Sequence, residues 1–175
     1  MKALFVVMIV NSFFSSCIIK AEPEAYIIPY RFQGIVYILF GKKNGIPVKY
    51  ENNRRVYEIP NDGILKTQFT TNDGFINRIY YYLDADGRKI PLTIFHYEYQ
   101  KDGTIKWIIK NNDEVGIFLD GTSGQMGNSS DSNVAKYDEF IVTSYNLLDS
   151  FRSDQYQNTM LKKLEKITGL KLTLQ

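Results

Sequence analysis

Cysteine, histidine and tryptophan each occur once in the 175 residues. A lone thiol excludes an internal disulfide framework, so packing and hydrogen bonds have to hold the fold. A lone imidazole, His96 between Phe95 and Tyr97, cannot form a metal site unaided and reads as a structural residue of an aromatic strand. No cofactor and no metal are expected. Charge of one sign is also lacking: 21 Lys and Arg stand against 19 Asp and Glu, a formal net charge of +2. The basic residues are scattered among acidic ones, so a nucleic-acid partner is not expected. Nor is there a long hydrophobic run. The apolar stretch Ala3–Phe14 is interrupted at Asn11 and Ser12, and a spanning helix needs about 20 apolar residues.

That stretch still carries information. Met1 and Lys2 make a minimal positive start, Ala3–Phe14 an apolar middle, and Ser15 and Ser16 a small-residue end, which reads as a signal peptide over residues 1–16. The run Phe14-Ser15-Ser16-Cys17 resembles the lipobox of bacterial lipoproteins, with Phe14 where leucine is usual. The resemblance implies that Cys17 is lipidated and becomes the mature N-terminus, with residues 17–25 as a tether. The implied partner is the membrane itself, through a lipid anchor, and the implied location is the cell envelope. Several acyl chains give durable anchoring. Cleavage nearer Ala21, giving a periplasmic or secreted soluble domain, is the alternative, although Ile19 fits poorly where a small side chain is wanted.

Residues 26–175 read as one domain. The chain is 44% hydrophobic and 14% aromatic, with 13 Tyr and 11 Phe, a composition that suits pleated, half-buried strands. Candidate strands are 26–28, 34–40, 55–59, 64–69, 77–83, 92–99, 105–110, 115–119 and 139–145. Between them fall Asn44-Gly45, Asp62-Gly63, Asp73-Gly74, Asp86-Gly87 and Asp102-Gly103, pairs that tolerate positive φ in tight hairpins. The expected fold is therefore mainly β, an antiparallel β-sandwich, with neighbouring strands mostly antiparallel. Ile35–Phe40 is apolar throughout, which predicts a strand covered on both faces. Ile105, Trp107 and Ile109 alternate with Lys106, Ile108 and Lys110, which predicts one buried face.

From Asp149 the period changes to helical, through Tyr156, Met160, Leu161, Leu164 and Ile167. One C-terminal α-helix is expected at about 149–168, capped by Asp149 or Ser150 and closed by Gly169, with a short strand through Leu170, Leu172 and Leu174 after it. Residues 120–138, rich in Gly, Ser and Asn, read as a long mobile loop.

Ile28-Pro29, Gly34 and the strand ending Phe40-Gly41, then Asn44-Gly45-Ile46-Pro47 and Tyr50-Glu51, open a longer pattern. Arg54-Arg55-Val56-Tyr57, Ile59-Pro60, Asp62-Gly63-Ile64-Leu65, Thr67-Gln68-Phe69, Asn72-Asp73-Gly74 and Tyr82-Leu83-Asp84-Ala85-Asp86-Gly87-Arg88 continue it. In this order, over Tyr26–Pro91, the chain resembles an uncharacterised family of bacterial exported proteins, often lipoproteins, a domain of unknown function. Tyr30-Arg31 stands where a second glycine is expected. The strand order is also similar to that of transthyretin-like sandwiches, whose usual work is binding or assembly, an analogy of fold only.

Catalytic constellations are not visible. No serine sits in a G-x-S-x-G elbow, Asp84-Ala85-Asp86-Gly87 lacks the later ligands of a calcium loop, and Gly121, Gly124 and Gly127 are followed by no Gly-Lys-Ser/Thr. The pairs Asp113-Glu114 and Asp138-Glu139 read as wet surface, although two carboxylates converging in a cleft would permit acid and base work on envelope polymers. Arg54, Arg55 and Tyr57 are the candidate ligand-contact residues, since guanidinium forks and a flat ring hold carboxylates or sugars; the plainer reading is a charged hairpin shoulder. The expectation is a non-enzymatic domain that binds an envelope protein, a glycan or a small ligand, or serves in envelope assembly.

Overall fold

The structure, a computed structural model, describes residues 21–127 and 134–172. The signal segment and Cys17 lie outside the described residues.

Strand β1 (Glu24–Pro29) and strand β2 (Gly34–Leu39) are joined by a tight turn. In it the Phe32 N–H donates to the Pro29 carbonyl at 3.0 Å. The two strands do not pair; each enters a different sheet. One sheet contains β3 (Tyr50–Glu51), β4 (Arg54–Glu58), β1, β6 (Arg78–Leu83) and β7 (Lys89–Pro91), in the order β3-β4-β1-β6-β7. The other contains β5 (Ile64–Lys66), β2, β12 (Ala135–Ser144), β11 (Val115–Met126) and β8 (Thr93–Ile94), in the order β5-β2-β12-β11-β8. Strands β9 (His96–Tyr99) and β10 (Ile105–Ile108) form a separate two-stranded ribbon.

The sandwich is mixed, not antiparallel. β1 runs parallel to both β4 and β6, β2 to β5, and β8 to β11. The reason lies in the turns. Asp62-Gly63 reverses the chain across the gap between sheets, from β4 to β5, instead of closing a hairpin within one sheet. Gly63 is at φ 78, and a Cβ there would meet the Ile35 carbonyl at 2.6 Å. A reversal of the same kind at β1–β2 leaves β1 and β4 pointing the same way in one sheet and β2 and β5 in the other, whereas β7 passes into β8 without reversing. A true hairpin, β3–β4, turns on Asn52 and Asn53, both left-handed at φ 49 and 59, the geometry of a primed two-residue turn.

Two layers of core follow. Tyr26, Ile28, Val36, Ile38, Tyr57, Tyr80 and Phe140 fill the space between the sheets. Ile35, Tyr37, Leu39, Phe118 and Ile141 point from the opposite face of the second sheet to Leu148, Met160 and Leu164. β2 is thus buried on both faces, as its unbroken apolar run predicts. The expected single helix is divided: a 3-10 turn (Tyr145–Leu147), α1 (Leu148–Arg152) and α2 (Asp154–Thr168). Ser153 between the helices is extended (φ −64, ψ 147), and its Oγ accepts the Tyr156 N–H at 3.4 Å, so Ser153, not Asp149 or Ser150, caps the longer helix. Gly169 closes α2 at φ 73, its N–H donating to the Glu165 carbonyl at 2.8 Å. Leu170 and Leu172 form no strand; they pack on the helix-side core. Leu174 lies outside the described residues.

The segment 120–138 is corrected in its described parts, residues 128–133 lying outside the described residues. Residues 120–126 continue β11 and residues 135–138 begin β12, with a bulge between Phe118 and Thr122 where Leu119 and Gly121 take φ 57 and 85. Gly124 faces Tyr137, whose ring carbons lie as close as 2.9 Å to where a Cβ would be. The small residues make room for that ring on an exposed strand. In β10 only Trp107 is half-buried, followed by Ile109; Ile105 is exposed. Finally, the fold reaches back beyond residue 26: Ala21 is buried, and Glu24 and Ala25, read as part of a tether, are buried in β1.

Candidate functional site

Parallel, in-register pairing places matched positions of β4, β1 and β6 in rows. One row is Tyr57–Tyr26–Tyr80. The Tyr26 ring stacks on Tyr57 at 5.0 Å and on Tyr80 at 4.6 Å between centroids, and Phe140 meets both Tyr26 and Tyr80 edge-on. The next row, at the end of the sandwich where β1 starts (here termed the upper end), is Arg55–Glu24–Arg78.

Glu24 is wholly buried, and its carboxylate accepts from four groups: Tyr26 Oη at 2.6 Å, Asn72 Nδ2 at 2.9 Å, Tyr57 Oη at 3.2 Å and Arg78 Nε at 3.2 Å. Full hydrogen bonding is what allows a carboxylate to be tolerated out of water. Arg78 then crosses between sheets, lying 3.8 Å from Asp120 of β11 and 3.7 Å from Asp138 of β12. Tyr80 Oη donates to Asp120 at 2.5 Å. Burial pushes the Tyr26 and Tyr80 hydroxyls far above the ordinary phenol range, with neighbouring charge adding to the shift, so both remain donors. Burial also raises Asp138 to about 6, against a partial lowering by Arg78, with Glu24, Asp120 and Asp73 adding to the rise.

The three residues singled out in the sequence are divided by this arrangement. Arg55 and Tyr57 belong to the two rows. Arg55 Nε donates to Glu22 at 2.5 Å and its Nη1 to the Thr70 carbonyl at 2.7 Å, while its guanidinium lies 5.0 Å from the Phe69 ring. Arg54 is used elsewhere, donating to the Asn77 carbonyl at 3.0 Å and side chain at 2.9 Å. Both arginines tie loops to the upper end. Glu24, Arg78, Asp120 and Asp138 were not legible as a site. Their signal is the spacing of charge and tyrosine, Glu24-x-Tyr26, Arg55-x-Tyr57 and Arg78-x-Tyr80, which becomes meaningful only once three strands are known to be parallel.

Beside the cluster is a cavity of about 320 Å³, lined among others by Arg78, Tyr80, Pro91, Leu92, Ile94 and His96. β7 pairs with β6 over Tyr81–Leu83, and the Leu92 N–H adds one more bond to the Tyr80 carbonyl at 2.9 Å, so the edge of β6 is left open at Arg78 and Ile79. His96 is exposed at this opening and is not packed within an aromatic strand. The cleft is open to solvent, with mostly apolar walls and the Arg78 and His96 side chains on its lining. Among the described residues, no group of three or more His, Cys, Asp or Glu is placed to hold a metal ion.

The other candidates resolve into local structure. Asp84 accepts the backbone N–H groups of Asp86 and Arg88 at 2.9 and 2.8 Å, closing a hairpin turn. Asp113 and Glu114 bind Asn146 and Thr93, both at 2.7 Å. Asp138 and Glu139 point to opposite faces: Asp138 to Arg78, and Glu139 to the helix-side layer beside Tyr37.

The raised Asp138 has a measurable consequence. Its proton is held more tightly in the folded than in the unfolded chain, so the folded state carries a penalty above pH 6 that fades as pH falls through 6 toward 4. Asp138→Asn removes that titration. Thermal melts of the two proteins should show the variant gaining relative to wild type as pH rises from 5 to 8; a pH-independent difference would contradict the assignment.

Comparison with curated proteins finds no match. Among solved structures, the fold is similar to the crystal structure of a "Putative Lipoprotein from Bacillus anthracis", with TM-score 0.53 and 14% identity over 86% of this chain and 100% of that one. At that identity the likeness concerns the fold alone. Residues 20–151 match a family of unknown function, so the likeness runs well beyond Pro91, takes in both sheets and stops within α1. The chain belongs to that family, DUF6843.

Proposed function

We propose that the protein is an exported lipoprotein, held to a membrane by acyl groups on Cys17, whose β domain is a non-enzymatic binding or assembly module of the cell envelope. The observation that carries the reading is the distance in sequence between Cys17 and the buried start of the domain. Ala21 is already buried, so the lipobox-like run ends where a lipid attachment point belongs, a few residues before the fold. The Bacillus anthracis protein of similar fold carries the description "Putative Lipoprotein", which supports the reading. Among the described residues, no helix is long and apolar enough to cross a membrane.

Binding is favoured over catalysis by how the polar groups of the upper end are employed. Glu24, Asp120 and Asp138 are each engaged by Tyr, Asn or Arg partners, and the cleft beside them offers apolar walls with Arg78 and His96 for orientation. The partner is a small ligand, a glycan or an envelope protein. A second reading, an enzyme using carboxylates on envelope polymers, has one observation in its favour: Asp138, near half-protonation around pH 6, stands close to Asp120 across Arg78. Hydrolysis of envelope glycan that Asp138→Asn abolishes would establish it in place of the binding reading.

The anchor is tested by the mass of the mature N-terminus from membranes, with acyl labelling, for the native chain and Cys17→Ala. A labelled terminus at Cys17 that disappears in the variant is expected. An unlabelled terminus near Ala21 would make the protein a soluble exported domain.

A further inference from the structure

We infer that the upper end of the domain is a second membrane contact, in which two aromatic projections, Phe75 and the tip of the β9–β10 ribbon, enter the headgroup region of the bilayer. The inference rests on the lipidated Cys17 proposed above. From Cys17 to the buried Ala21 are four residue steps, at most about 14 Å when extended. A domain held so closely must present to the bilayer the end at which β1 begins.

The most exposed large apolar side chains are at that end. Phe75 is 88% exposed and Tyr99 71%. Phe75 is in the loop between Thr70 and Asn77, whose two ends are fixed at the upper end by Arg55 on the Thr70 carbonyl and by Arg54 and the Glu24 N–H on the Asn77 carbonyl. A loop anchored at both ends that still leaves a phenyl ring in water holds that ring outward.

The ribbon reaches the same end. The Leu92 N–H bonds to the Tyr80 carbonyl, and Leu92, Ile94 and His96 then line the cavity along the open edge of β6 to Arg78. β9 therefore leaves the body at the upper end. Register puts Tyr97 opposite Trp107 and Tyr99 opposite Ile105 on one face. At the base, Trp107 packs on Phe118 at 4.8 Å; Tyr97 bridges Trp107 and Tyr99 edge-on at 5.2 and 5.5 Å. Tyr99 and Ile105 at the tip touch no core, and Lys101 beside them is exposed. Rings with an apolar body and a polar edge, next to lysine, are the side chains that settle at a membrane–water interface.

The test uses the full chain, exported, purified from membranes and reconstituted into phosphatidylcholine–phosphatidylglycerol vesicles whose acyl chains are brominated near the headgroup. Trp107→Phe removes the only native tryptophan, and single tryptophans are then placed by Phe75→Trp, Tyr99→Trp or, at the opposite end, Tyr30→Trp. Circular dichroism melts close to wild type establish that each folds. Emission from positions 75 and 99 should be blue-shifted and mostly lost in brominated vesicles, and that from position 30 retained. Positions 75 and 99 no more quenched than position 30 would overturn the inference. Acyl labelling of the same samples separates the two claims. Labelled Cys17 without quenching rejects the membrane contact alone; quenching without label rejects the anchor and leaves the contact standing; neither signal rejects both.

Discussion

Glu24→Ala is expected to lower stability by about 3–5 kcal/mol, the usual cost of removing one partner from a buried charge pair. Domains of ordinary stability have about 5–15 kcal/mol in all, so the variant will be close to its unfolding threshold. The loss comes from what is left behind. Arg78, largely buried, keeps Asp120 and Asp138 at longer range but loses its 3.2 Å partner, and the hydroxyls of Tyr26 and Tyr57 and the Asn72 amide lose an acceptor. Glu24→Gln keeps the volume and one acceptor oxygen and should cost about 1–3 kcal/mol. Urea unfolding followed by Trp107 emission measures both. An alanine variant within about 1 kcal/mol of wild type, the range of a single ordinary hydrogen bond, would show that the upper-end network contributes little to folding.

A chain ending at Arg152 should fail to form a native domain, although it contains all the residues that match the family. Without α2, Ile35, Leu39, Phe118 and Ile141, each at most 1% exposed, lose the cover of Met160 and Leu164. Returning an aliphatic or phenyl side chain to water costs roughly 1.5–3 kcal/mol, so the sum is comparable to the whole stability of a small domain. The expected product is aggregated or loosely packed, with strong binding of a hydrophobic dye and no near-ultraviolet dichroism. A soluble, cooperatively melting fragment would mean that α1 and the sheets suffice.

Much of this architecture was legible locally. The apolar run of β2 announced two covered faces because a strand buried on both sides cannot alternate, and Gly169 announced the end of α2 because a left-handed cap favours glycine. What failed depended on partners distant in sequence. The pair Asp62-Gly63 specifies a reversal, and whether that reversal closes a hairpin or crosses to another sheet is decided by where β2 and β5 find cover. The polar stretches 121–126 and 135–138 looked slack because their strand surface is wet and Gly124 makes room for Tyr137. Arg55 and Tyr57 stand out in the sequence, but Glu24 and Arg78, their companions in the rows, are brought beside them only through parallel register. Ser153 broke the helix through its extended backbone, which its identity as a good cap made possible and did not require.

The central place of β1 has a consequence for the order of folding. Its neighbours β4 and β6 follow it by about thirty and fifty residues, and the layer behind β2 is complete only when α2 arrives. Contacts so remote in sequence raise contact order and slow the search for the native state. A chain emerging amino end first, from a ribosome or a translocation pore, would therefore show its first strand unpartnered until about thirty further residues had followed, and without its second neighbour until about fifty had. The layer behind β2 would stay open to water until α2 was through.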